Sequence, residues 1–338
     1  MSSNVIVWLL LSAPILAQTA TNPQPANSLL LGEKRSFELT RELEQYEAQP
    51  GLSGRVTSIG GGSSALLVNR WVPEFAAIQP GIEVGFHGGS SATGMNGLIE
   101  ANVDVVPMSR PVEAEETARF KAKYGYEPTE IVVAQDALGV YVNKTNPVAG
   151  FTLAQLDGIY SRDSKRGGGR PEFWSELGVT GPLAEERIDR ISLNKAHGAH
   201  VYFQDIVMQD DAYRFDVRME ATGGSLVQAV GANNAAVGIL SVMYATARTR
   251  LVPVQAADGS CVLPTYENIS AGKYPLVRPL RIVFNRRPDG TMNAAAREFL
   301  RFVVSRRGQR VIALAGSYPL STEQQKEALR TIGDAAPK

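Results

Sequence analysis

Cysteine occurs once in the 338 residues, as Cys261, which excludes an internal disulfide and any multi-cysteine metal cluster. Charge of one sign is also lacking. The 34 Lys and Arg balance 34 Asp and Glu, so the chain is formally neutral and has no electrostatic footprint of a general nucleic-acid binder. No apolar run is long enough to cross a bilayer, which takes roughly 20 helical residues. The signatures of common hydrolases are missing as well: no HExxH, no GxSxG, no carboxylate cluster at metal spacing and no cysteine in a nucleophile setting. These absences argue against an enzyme.

What is there is globular. Hydrophobic residues make up 44% and charged residues 20%, too apolar for a disordered chain and too mixed for a fibre. The length fits two domains of about 150 residues. Val5–Leu16 is a short uncharged apolar run, and Ile15-Leu16-Ala17 offers a cleavage point after Ala17, the pattern of a secretory signal peptide over residues 1–17, although no Lys or Arg precedes Lys34. A leader over 18–50 should follow: Gln18–Asn27 is polar and contains proline, and Lys34–Gln49 has the charge of a short helix before the Pro50-Gly51 break.

From Arg55 onward, short strands alternate with helical periods. Arg55–Ile59, Ile82–Phe86 and Val103–Met108 read as strands, and each runs into a polar loop: Gly60–Ser64, Gly88–Gly94 and Ser109-Arg110. Leu67, Trp71 and Phe75 carry the spacing of a helix between the first two strands. Repeated strand–turn–helix units predict an α/β fold with a mixed, mostly parallel sheet. In such sheets ligands bind beyond the carboxyl ends of the strands, and all three loops lie there. Two of them open helices, whose free N–H groups and positive dipole ends suit an anion; Ser and Thr also cap helices with no ligand involved. A second α/β stretch follows, with strands at Ile131–Val142, Arg187–Leu193 and Ala235–Leu240 and a basic loop over Arg162–Arg170.

Several segments, in order, carry a resemblance: Val106-Pro107-Met108-Ser109-Arg110, then Ala134 to Lys144 (AQDALGVYVNK), then Ser270 to Leu280 (SAGKYPLVRPL), and the end, Gly308-Gln309 to Gly316-Ser317-Tyr318-Pro319-Leu320. Together they resemble the periplasmic phosphate-binding proteins of ABC transporters, over nearly the whole stretch from Gly51 to Leu320. The resemblance implies a type II periplasmic-binding-protein fold, two α/β lobes joined by two hinge strands with the anion between them. It places lobe one at 51–139 and 242–325, lobe two at 140–241 and a tail at 326–338. The chain would cross near Leu138–Asn143 and return near Gly238–Tyr244. It also implies a monomer, periplasmic or secreted, that takes inorganic phosphate or a related oxyanion, partners an ABC permease and needs no cofactor or metal.

Carried over residue by residue, the family's anion loops match Ser63, then Ser91 and Thr93, then Ser109 and Arg110, with Arg110 as the charge: a planar fork suited to phosphate oxygens. The second lobe departs from the pattern. Where the family has an Arg before Ser-Gly-Thr, this chain reads Asn194-Lys195-Ala196-His197-Gly198-Ala199-His200, and only Gly198 survives. Charge-assisted hydrogen bonds are worth roughly 1.5–3 kcal/mol each, so losing two or three of them weakens phosphate binding by orders of magnitude unless Lys195, His197 and His200 compensate. The three histidines, His87, His197 and His200, all fall on loops assigned to the cleft. That leaves a histidine-dependent anion site, a metal site or plain cleft-rim residues as readings. The alternative function is a divergent binding fold with weakened or lost phosphate binding, serving in envelope sensing or interaction. Ser225, in Thr222-Gly223-Gly224-Ser225, is expected to cap a helix.

Overall fold

The computed structural model describes residues 38–333. The expected signal segment lies outside them, as do much of the leader and the last residues of the tail. The first lobe starts with β1 (Gly54–Gly60), α1 (Gly62–Ala76), β2 (Ile82–Gly88), α2 (Ser91–Ile99), β3 (Val105–Met108) and α3 (Ala114–Tyr124). Long β4 (Thr129–Asn143) leads to α4 (Leu153–Tyr160), β5 (Asp189–Leu193), α5 (Gly198–Ile206), β6 (Arg218–Glu220), α6 (Gly223–Ala232) and β7 (Ala236–Ser241). After β8 (Thr249–Val252), β9 (Val254–Gln255), β10 (Cys261–Val262) and α7 (Tyr266–Ser270), the chain returns through β11 (Val277–Phe284). It ends in α8 (Ala294–Val304), α9 (Arg306–Leu314) and α10 (Thr322–Ile332).

One mixed sheet runs through the molecule in the order β2-β1-β3-β11-β4-β7-β5-β6, with β8 also on β4. The outer pairs β1–β2, β1–β3, β5–β6 and β5–β7 are parallel, as strand–helix–strand units require; the central pairs of β4 and β11 are antiparallel. The helical period read from α1 buries Leu67, Val68, Trp71 and Phe75 against the first sheet half, and Trp71 Nε1 donates to Gly308 O at 2.9 Å.

β4 is the first hinge strand. Its Thr129–Ala137 half pairs with β11, and its Leu138–Asn143 half pairs with β7 and β8. The cores divide at the same point. The first core, in lobe one, holds Val56, Trp71, Phe75, Ile131, Leu280 and Phe299, with a smaller separate cluster of Met95, Leu98, Val106, Phe120 and Val283 in the same lobe; the second core, in lobe two, holds Leu138, Tyr141, Phe151, Trp174, Ile191 and Phe203. The return crossing sits later than the expected 238–244. Leu251, Val252, Val254, Ile269, Tyr274 and Leu276 all pack in the second core, so the chain from β8 to Leu276 packs with lobe two, although Met243 before it reaches the first core, and the chain crosses back at Leu276–Val277. β8 explains the difference: its ladder on the far half of β4 keeps the chain in lobe two after β7.

Two smaller expectations change. The leader's described part is helical only over 38–40, and from there it straps lobe one: Leu43 is buried, and Glu44 N donates to Gln325 Oε1 at 2.9 Å. Most of the expected tail, through Ile332, is α10, with Ala328, Leu329 and Ile332 packed in the first core.

Candidate functional site

Four helices begin at one crevice between the lobes. The residues before and at the first turns of α1 (Gly60, Gly61), α2 (Ser90, Ser91), α5 (His197, Gly198) and α6 (Thr222, Gly223) line a chamber of about 440 Å3 with Ser109, Asn194 and Tyr244. Two starts come from each lobe. Below the chamber is a tight floor of about 10 Å3, lined by Ser63, Ser109, His197, Gly198, Tyr244 and Arg278, with space for roughly one water.

The helix starts differ in how their free amides are met. Ser90 Oγ accepts from Thr93 N at 3.1 Å and Thr222 Oγ1 accepts from Ser225 N at 3.0 Å, so α2 and α6 carry their own caps. Thr222 is the N-cap, and Ser225, expected to cap, closes the capping box from the third position, its Oγ accepting from Thr222 N at 3.3 Å. At α1 and α5 no side chain accepts from the first turn. These two uncapped starts, one from each lobe, meet over the floor cavity. A helix start contributes ~0.3–1 kcal/mol to a nearby anion at an exposed position and up to ~2 kcal/mol where partly buried.

The lobes touch here. A Cβ on Gly198 would lie 2.5 Å from Ser109 Oγ and 2.7 Å from Ser109 O, so only glycine permits α5 to close this far. Within lobe one, Gly61 is as tightly placed: a Cβ there would lie 2.0 Å from Gly89 O.

Of the residues carried over from the family, Ser63, Ser91, Ser109, His197 and Gly198 line the crevice. Thr93 is in the first turn of α2 but does not line it; its hydroxyl lies 2.9 Å from Ser90 Oγ. Lys195 is exposed and outside the lining.

Arg110 and His200 are turned elsewhere, contrary to expectation. Arg110 is buried, with Nη1 and Nη2 donating to the two oxygens of Glu116 at 2.8 and 2.7 Å, Nη1 also donating to Pro111 O at 2.8 Å, and Nε 3.4 Å from Glu113. Its fork is spent on the start of α3, where Glu116 also accepts from Glu113 N. His200 is 8% exposed, its Nδ1 is 2.7 Å from Leu193 O, and its ring stacks on Tyr213 with centroids 4.1 Å apart. It fastens α5 to lobe two, and burial lowers its pKa below the ordinary value.

The other histidines do not join it. His197 Nε2 is 2.8 Å from Ala221 O, linking the α5 and α6 starts, and His87 is exposed near the end of β2 outside the crevice lining. Among the described residues no three His, Cys, Asp or Glu side chains are grouped as metal ligands.

The cation at the floor is Arg278, which sequence reasoning passed over. It sits on β11 beside the hinge, 2% exposed, with Nε and Nη2 donating to Asp136 Oδ2 at 3.2 and 2.9 Å. Its Nη1 donates to Ser109 O at 3.1 Å and its Nη2 to Ser63 Oγ at 3.1 Å. The missed signal was parity: on β11, Arg278, Leu280 and Ile282 alternate on the buried side, and a buried-side arginine needs a partner. Tyr244 was missed too. Its ring packs on Gly223, and burial, reinforced by Asp136, raises its pKa.

A larger hollow of about 520 Å3 on lobe one lies between Arg286, Asp289, Arg297 and Gly333. It opens between the start of α8 at Ala294 and the end of α10 at Gly333, and none of the residues carried over from the family lines it.

Comparison with known proteins agrees with this architecture. A family model described as a PBP superfamily domain matches residues 45–307. A phosphate-binding protein PstS of Pseudomonas aeruginosa is 30% identical over 293 residues, covering 86% of this chain and 91% of that protein. A phosphate-binding protein PstS of Staphylococcus epidermidis is 26% identical over 262 residues, 76% of this chain and 77% of the relative. Among solved structures, a putative phosphate ABC transporter substrate-binding protein from Clostridium perfringens superposes with a TM-score of 0.66 at 24% identity, over 79% of this chain and all of that one.

Proposed function

This chain belongs to the PBP superfamily, and from that premise we propose that it is an extracytoplasmic solute-binding protein that captures phosphate between its lobes for an ABC transporter. The observation that carries the reading is the meeting of four helix starts, two of them uncapped, at one interlobe crevice. Phosphate oxygens would take the first-turn amides of α1 and α5 and the hydroxyls of Ser63, Ser91 and Ser109, with His197 and the Gly198 amide closing from lobe two. Hinge bending about β4 and β11 would admit and enclose the ion. The sizeable relatives named phosphate-binding proteins support the choice of phosphate among oxyanions.

The protein would act as a single chain outside the cytoplasm, as a carrier rather than a catalyst; among the described residues no helix is long and apolar enough to cross a membrane. Isothermal titration of the purified chain with inorganic phosphate tests the reading. One saturable site per chain is expected, with a dissociation constant of micromolar or below. Absence of heat in a folded sample would refute it.

A further inference from the structure

The second lobe has lost the arginine that the resemblance assigns to it, yet a buried arginine stands at the crevice floor on the hinge. Resting on the phosphate reading above, we propose that Arg278 is the anion-binding cation of this protein and that Asp136 is its positioning residue.

A guanidinium has five N–H donors. Nε–H goes to Asp136, the two on Nη2 go to Asp136 and Ser63, and one on Nη1 goes to Ser109 O. The remaining Nη1 hydrogen is available at the floor, which Arg278 lines. The contact with Ser63 fixes a second donor. Because Ser63 Oγ accepts from Arg278, its own proton is free for a guest oxygen, between the starts of α1 and α5.

Asp136 holds the fork from behind. It is fully buried, and its other oxygen accepts from Ser241 Oγ at 2.5 Å. Ser241 ends β7 in lobe two, Asp136 lies on β4, and Arg278 lies on β11. The charge therefore sits where the lobes pivot, and its aim depends on both.

Phosphate affinity and the phosphate-induced rise in Tm, measured on matched variants, test this. Arg278→Lys keeps the charge and loses the fork, so affinity should fall roughly 10-fold or more. Ser63→Ala keeps the Arg278–Asp136 pair and should fall about 10-fold, which preserves the test if the buried lysine fails to fold. Ser241→Ala should reduce the phosphate-induced rise in Tm, a readout that a merely structural contact would leave unchanged. Arg110→Lys, at the start of α3, should bind within about threefold of the parent. Parent-like affinity in folded Arg278→Lys or Ser63→Ala, or a loss in Arg110→Lys matching that of Arg278→Lys, would overturn the assignment while leaving phosphate capture intact. If the parent chain itself ignores phosphate, the underlying reading fails instead.

Discussion

Gly198 is a point of close contact between the lobes, and it makes the sharpest single-residue prediction. Its hydrogen faces the Ser109 backbone, which has no rotamer to yield. Overpacking of this kind costs about 1–3 kcal/mol, and here it would fall on the closed form alone. Gly198→Ala should therefore lower phosphate affinity roughly 10- to 100-fold in titration calorimetry while the circular dichroism spectrum stays unchanged.

His200 predicts a pH effect. Its burial, with a smaller contribution from His197, holds the folded pKa below the ordinary value. Its stabilisation is thus present above the unfolded pKa of about 6.5 and is lost as pH falls toward and through the lower folded value. The parent should lose Tm between pH 7 and pH 5, and His200→Gln should lose less; equal slopes would contradict this.

At this scale the sequence was only partly legible. Ser63, Ser91, Ser109, His197 and Gly198 were marked by their loops and all line the crevice. Arg110 was marked by its loop as well but does not line the crevice, because Glu116 is six residues ahead and a bidentate ion pair with it depends on the turn that starts α3. Arg278 was hidden for the opposite reason. It is 142 residues from Asp136 in the chain, and only the sheet makes them neighbours.

Helices carry the chemistry at the next scale, through their ends. α1 and α5 leave first-turn amides without side-chain acceptors at the crevice, whereas α4, α7, α8, α9 and α10, away from it, each start on a side-chain cap. Asn293 Oδ1 accepts from Ala295 N and Ala296 N at the start of α8, and its Nδ2 donates to Asp104 at 2.9 Å. Asn293→Ala should cost about 1 kcal/mol in urea unfolding, in line with lost caps elsewhere, with phosphate affinity unchanged. The basic loop works at the other helix end. Arg166 donates to Val207 O and Ile206 O at 2.6 and 2.7 Å, meeting the last carbonyls of α5.

Periodicity located most of these elements because α1 and the strands each bury one regular face. It missed α3 and α10. Of α3's residues only Glu116 and Phe120 are buried, which leaves too few apolar positions to set a period. Strands β8–β10 are two to four residues long, below the length at which alternation can be read.

At the scale of the whole molecule, one sheet carries the cores of both lobes, and the chain passes between the lobes on the adjacent strands β4 and β11. Leu138 N donates to Leu276 O at 2.8 Å at the crossing. An antiparallel pair of this kind bends without losing its ladder, so lobe motion costs little packing and a bound ion can set the angle. Small-angle scattering should show a smaller radius of gyration on adding phosphate, and Gly198→Ala should blunt the change. The two-lobe plan was legible because its markers are spread along the chain. The return crossing was misplaced because β8, a four-residue strand, decides which lobe owns the segment after β7.

Convergence of helix amides on one ion is the claim on which the rest depends, and backbone amide resonances report it directly. In an isotope-labelled chain titrated with inorganic phosphate, the largest and saturable shifts should fall at residues 62–64 and 198–200, with smaller ones at 90–93 and 222–225. Shifts confined to one lobe, centred on Arg110, or absent from both uncapped helix starts would contradict it.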